Sequence, residues 1–80
     1  MNVIREFDGS KEISILSKDI KNYIADSVEN NAESAILTFQ SCTLTNQKQE
    51  DIRNFIETLG KVQVRRTSRA VEFHYPITNQ

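Results

Sequence analysis

With 80 residues, 38% of them hydrophobic and 26% charged, the chain has the composition of one small globular domain, which excludes a collagen-like, coiled-coil or disordered polymer. Such a length buries a modest core and leaves no room for an elaborate active site. The formal net charge of −1 excludes a uniformly basic nucleic-acid coat.

That average conceals a gradient. Residues 1–24 balance four cations against four anions, residues 25–60 carry two against six, and residues 61–80 carry four against one. The asymmetry can orient an anionic ligand toward one end of the molecule. No apolar run approaches the roughly 20 residues that span a bilayer, and the first eight residues lack the apolar stretch of a signal peptide, so an intracellular protein without membrane contact is expected. Cys42 is the only cysteine and His74 the only histidine. An internal disulfide and a Cys/His zinc cluster are thereby excluded, and neither metal nor cofactor is expected.

In chain order, Val3 to Phe7 before the turn pair Asp8-Gly9 reads either as a short strand or as a loose arm over residues 1–10. Glu12 to Leu16 alternates like a strand and meets Ser17, a favoured N-cap, with Asp19 placed to complement the dipole of a first helix over about 18–30. Ile20, Ile24 and Val28 recur at intervals of four in that helix, with Tyr23 beside them in the core, and Asn30-Asn31 supplies its stop. Ser34 to Phe39 is a continuous apolar run that fits a central strand. Thr45 caps a second helix in which Ile52, Phe55, Ile56 and Leu59 follow the i, i+3, i+4, i+7 pattern, with Gly60 at C′.

From Lys61 two alternating runs flank Arg65-Arg66-Thr67-Ser68-Arg69 and predict a β-hairpin with a cationic tip, its last strand ended by Pro76. The expected register places Val64 opposite Val71, Val62 opposite Phe73, and Arg66 opposite Arg69. The fold class that follows is α/β, an α+β two-layer sandwich in β-α-β-α-β-β order with both helices on one face of a mixed sheet, and residues 3–7 as an additional strand in front if they are ordered. One domain covers 11–77, with a tail at 78–80.

Residues 15–24, Ile-Leu-Ser-Lys-Asp-Ile-Lys-Asn-Tyr-Ile, resemble the Alba family of nucleic-acid-binding proteins, whose first strand ends in Gly-Lys-Lys-Pro before a helix carrying a Tyr. Lys18 falls on the second family lysine and Tyr23 on the tyrosine, while Leu16, Ser17 and Asp19 replace the glycine, the first lysine and the proline. Further along, Gln40-Ser41, Thr43-Leu44 and Asn46-Gln47 stand where the family has Arg-Gly, Ala-Ile and Lys-Ala. The resemblance spans about residues 12–75. It implies the same element order and a diverged, dimeric, chromatin-type DNA- or RNA-binding protein, cytoplasmic or nucleoid-associated, that grips its ligand with loop lysines before the first helix and with the arms of the final hairpin. The segment Ala35 to Thr45 also looks like the core of STAS regulatory domains, in which a Ser or Thr at the helix start is phosphorylated; Thr45 is the nearest equivalent. That resemblance implies a protein-interaction module instead.

Lys18, Lys21, Arg65, Arg66 and Arg69 are accordingly the candidate phosphate contacts, because long cations and the free amides of a first helical turn are what phosphates bind. Ile52, Phe55, Ile56 and Leu59, with Phe73 and Tyr75, form the candidate interface of a homodimer built from the second helix and the hairpin base. No catalytic residue is proposed and no enzyme is expected. His74 and Glu72 share the polar face of a strand without a further partner, Cys42 reads as a small buried loop thiol, and Gly9 and Gly60 are too few for a phosphate loop.

Overall fold

The computed structural model describes residues 1–77; the expected tail at 78–80 lies outside the described residues. The elements are β1 (Asn2–Phe7), α1 (Ile13–Glu29), β2 (Ser34–Gln40), a single 3₁₀ turn (Ser41–Thr43), α2 (Asn46–Glu57), β3 (Gln63–Arg66) and β4 (Ala70–Pro76). The β-α-β-α-β-β order and the mixed two-layer architecture are those read from periodicity. The sheet runs β1-β2-β4-β3, with β1 parallel to β2 and β4 antiparallel to both of its neighbours. Each helix therefore links parallel strands, and α1 and α2 touch in one layer.

The strand that opens the order is residues 2–7, which pair with Ser34 to Phe39, so the segment expected either as a strand or as an arm is a strand. Glu12 to Leu16, expected as a strand, is instead the start of α1. A five-residue alternation is too short to compete with the helical series that continues backward from Ile20: Leu16, Ile20, Tyr23, Ile24 and Ser27 form one buried stripe, and Ile15 points to solvent. Ser17 is thus mid-helix and caps nothing. The chain turns before α1 through Asp8, whose carboxyl accepts hydrogen bonds from the Ser10 hydroxyl (2.6 Å) and amide (2.9 Å). Those two bonds hold the Asp8 carboxyl below its ordinary pKa. At the other end α1 stops where Asn31 adopts φ 59°, a conformation Asn tolerates.

The inner sheet face carries Ala35, Leu37 and Phe39 of β2 against Val71, Phe73 and Tyr75 of β4, and both helices cover it. Phe7, Phe39 and Phe73 form a chain of ring contacts with centroids 5.6 Å apart at each step. Tyr23 joins this core as expected. Its hydroxyl donates to the Ile36 carbonyl at 3.2 Å, and burial pushes its pKa up.

Thr45 caps α2 as its sequence suggests, its hydroxyl accepting from the Lys48 amide at 3.1 Å. Gly60 does not act as a left-handed C′ residue, because no glycine has positive φ. Its role is close approach: a Cβ there would lie 2.6 Å from the Tyr75 hydroxyl oxygen, and that hydroxyl donates to the Leu59 carbonyl at 2.8 Å. Among the described residues no helix covers the outer sheet face. No helix of the described residues is long and apolar enough to cross a membrane.

Candidate nucleic-acid interface

The hairpin exists, but its register is two residues away from the expected one. Val64 lies opposite Phe73, Arg65 opposite Glu72, and Arg66 opposite Val71. Thr67 sets this register: its amide donates to the Ala70 carbonyl at 2.8 Å, and its hydroxyl oxygen accepts from the Arg69 and Ala70 amides. This side-chain-supported turn is one of the ways Ser and Thr compete with a plain ladder. Moving the register by two keeps every side chain on its face and removes the Arg66–Arg69 confrontation.

The tip does not project as an arm. Gln40, the last residue of β2, is level with Ala70, the first of β4. The Ser41 amide donates to the Arg69 carbonyl at 2.9 Å and the Ser41 hydroxyl to the Ser68 carbonyl at 3.3 Å. The turn is therefore pinned to the 3₁₀ segment behind β2. This second shore was invisible in the sequence, although a Ser directly after a strand is a recognisable capping residue.

Three guanidinium groups leave this platform in different directions. Arg65 belongs to the outer sheet face, since its neighbours Val64 and Arg66 share the inner one with Phe73 and Val71. Arg66 reaches along the inner face to α2, where its Nε donates to Gln49 Oε1 at 3.0 Å. Arg69 occupies the turn. All three are exposed, and among the described residues none forms an ion pair with a carboxylate. Glu72, which faces Arg65, is engaged by His74, with Nε2 and Oε1 2.9 Å apart.

Lys18 and Lys21 do not join them. Lys18 is two residues from Leu16 and two from Ile20, both buried, so at about 100° per residue it points directly away from the sheet. Lys21 projects from the flank of the same helix. Arg65 and Lys18 thus face opposite sides of the sandwich. The loop before α1, where the family resemblance would seek lysines, holds Lys11; Lys18 lies inside the helix. Lys48 at the start of α2 is committed, its Nζ donating to the carbonyls of Gly9 (2.7 Å) and Lys11 (2.6 Å). It locks the β1–α1 loop to α2.

The expected dimer surface is largely interior. Ile52, Ile56 and Phe73 have no accessible surface, and Tyr75 is buried with them, because the two-helix layer and the inner face saturate one another within a single copy. Only Phe55, half-buried, and Leu59, 36% exposed, can meet a partner from that set. Cys42, expected to be buried, is exposed.

A cleft of about 300 Å³ at the same end of the sheet is lined by Glu6, Phe7, Asp8, Gln40 and Thr43. Its two carboxylates repel phosphate, so any anion-binding role falls to the hairpin tip and not to this concavity. No group of three or more His, Cys, Asp or Glu among the described residues is placed to hold a metal ion. Compared with protein-family models, with curated proteins and with solved structures, the chain has no match.

Proposed function

We propose that the chain is a small nucleic-acid-binding protein, a diverged relative of the Alba family, that holds the phosphate backbone of DNA or RNA at the pinned tip of the β3–β4 hairpin. One observation carries this reading: Arg65 and Arg66, on opposite faces of β3, and Arg69, in the turn, are all exposed at one end of the hairpin, and none forms an ion pair with a carboxylate among the described residues. Elsewhere Arg53 holds both Glu50 and Glu57. Arg65 and Arg66 also blunt the β3 edge, but Arg69 lies outside the strand and has no such use, and guanidinium groups without a carboxylate partner are what a phosphate binds. From α1 onward the β-α-β-β order matches the one the resemblance implies, whereas Ile15 and Leu16, which fall on the end of the family's first strand, lie in α1, and the strand that opens the sheet, Asn2–Phe7, falls outside residues 12–75. Such a protein works inside the cell, in the cytoplasm or at the nucleoid.

The geometry scales the expectation down. With Lys18 and Lys21 aimed elsewhere, about three phosphate contacts per subunit remain, which corresponds to a slope of log K against log salt of about −2 to −3. Contacts are to backbone and shape, since no side chain at the tip is arranged to read base edges. Titration of short duplex DNA and RNA over a salt series tests this. Replacing Arg65, Arg66 and Arg69 together by Ala should weaken binding equally for all sequences and flatten the slope while the fold stays intact. Undiminished binding by that variant, or no binding by the parent near 50 mM salt, the low end of the usual range, would end the reading.

A second reading has one observation of its own. Thr45 is exposed at the N-cap of α2, the position at which the STAS resemblance implies phosphorylation and regulated contact with a protein. A phosphate there would meet the free amides of the first helical turn. Pull-down of cell-extract proteins by the parent, with loss on Thr45→Glu, combined with no salt-dependent nucleic-acid binding, selects this reading.

A further inference from the structure

We propose that the outer edge of β1 pairs antiparallel with the same edge of a second copy of this chain, about a two-fold axis at Ile4, joining two sheets into one continuous sheet. This goes beyond the nucleic-acid reading and does not depend on it.

The first argument is the state of that edge. Among the described residues β1 hydrogen-bonds to β2 alone, so its far side presents an unpaired row of N–H and C=O groups along six residues. Folded proteins blunt such edges with short strands, prolines, bulges, charged side chains or inward-pointing charges. β3, the other edge, is blunted: it has four residues and ends in Arg65-Arg66. β1 has no proline, pairs with β2 without a bulge, and holds Ile4 at 67% exposure in its middle; of its two charges, Glu6 is on the outer face and Arg5, on the inner face, lies over the Tyr23 ring 5.0 Å from its centroid. Asn2, Arg5 and Glu6 are exposed as well, so the edge is accessible along its length.

The second argument is self-complementarity, which selects both the occupant and the register. A two-fold axis perpendicular to the sheet keeps both helix layers on one side and sets residues of the same face opposite one another. Centred on Ile4, the pairing places Ile4 against the second copy's Ile4, Val3 against its Arg5 and Asn2 against its Glu6. Every charge then meets a neutral residue. Centring on Arg5 or Glu6 would set like charges face to face, which is destabilising, and centring on Val3 would leave Glu6 and Phe7 unpaired. The helix-two interface expected from sequence is closed by the burial of Ile52, Ile56 and Phe73; β1 remains open. Antiparallel pairing also sends the two hairpin tips to opposite ends of the joined sheet, so a short duplex meets one tip at a time.

Sedimentation of the full chain from low to high micromolar concentration, the weak end of protein assembly, tests the pairing, with disulfide trapping in a Cys42→Ser background to fix the register. The expected mass rises from 9.2 kDa toward twice that value. Ile4→Lys weakens assembly by about tenfold or more, by loss of apolar burial and by charge repulsion at the axis, while its circular dichroism is unchanged because Ile4 is exposed. Ile4→Cys cross-links to itself under mild oxidation, since directly opposed residues lie about 4.5–5.5 Å apart. Glu6→Cys does not, because its own counterpart is four residues along, about 13 Å away. A 9.2 kDa species at all concentrations, a dimer indifferent to Ile4→Lys, or self-cross-linking by Glu6→Cys in place of Ile4→Cys overturns the proposal.

Discussion

The two edges of the sheet differ in length, charge and what stands behind them. β3 is a four-residue strand whose Arg65 and Arg66 discourage another strand from approaching, and its turn is held by Ser41 and Thr67. β1 is longer, carries an exposed isoleucine at its centre, and is held at its start by the Met1 ammonium, 2.6 Å from a Glu33 carboxylate oxygen. Under the two proposals above, the arginines that keep β3 from pairing would also meet phosphate, and the β1 edge would pair through its backbone.

The sharpest way to break this contrast is to remove what both edges share. Phe39 on central β2 packs between Phe7 of β1 and Phe73 of β4. Phe39→Ala should cost about 3–5 kcal/mol in chemical denaturation and unfold both edges together, whereas Ile4→Ala should lie within about 0.5 kcal/mol of the parent at concentrations too low for assembly. Equal losses would mean that β1 is not an open edge.

Gly60→Ala acts on the β3 side. Its Cβ would press on Tyr75 and displace the hydroxyl from the Leu59 carbonyl, at a cost of about 1–3 kcal/mol. Amide hydrogen exchange should quicken in β3 and β4 before β1. Thr45→Ala removes the cap of α2 and costs about 1 kcal/mol, read as a lower thermal midpoint. Because Gln49 in that first turn holds Arg66, the same variant should loosen the tip without changing its charge.

Single tip variants should leave stability nearly untouched and move only the salt dependence. If the tip binds phosphate as proposed, Arg69→Ala should reduce the salt slope by about 0.9. Arg66→Ala should do the same while freeing Gln49. The smallest effect concerns pH. Hydrogen bonding and charge attraction from the N-terminal ammonium hold the Glu33 carboxyl below its ordinary pKa. A depressed carboxyl stabilises the folded state at neutral pH, and that contribution fades as pH falls below about 4 through the folded-state value. Glu33→Gln should flatten this acid limb slightly, and fraying of β1 should be its visible consequence.

Much of the fold was legible from local patterns, because those patterns report directly on burial. The continuous run at 34–39 is the central strand, Thr45 caps the helix whose Ile52 and Ile56 are buried, Pro76 closes β4, and Tyr23 packs inside. The first helix was misplaced at its start for a physical reason. Ile13, Ile15 and Leu16 satisfy strand and helix periods equally over five residues, and only contact with the sheet decides that Leu16 is inside and Ile15 outside.

For the candidate site the division is clearer still. Sequence alone determined that three arginines crowd one turn and that the chain is acidic in the middle and basic near the end, since charge is a property of the residues themselves. Tertiary structure decided what those charges face. Alternation already puts Arg65 and Arg66 on opposite faces, but it cannot distinguish registers that differ by two, so the Thr67 turn and the Ser41 tether, not the pattern, set Arg65 opposite Glu72 and Arg66 opposite Val71 and leave Arg69 in the turn. It also decided which apolar residues are spent on the core. Ile52, Phe55, Ile56 and Leu59 form one stripe by spacing, but the width of the sheet beneath determines that the first and third are sealed while Leu59 reaches the surface and Ile4, on another strand, is left uncovered. Periodicity names a face, and only the packed neighbour determines how much of it remains.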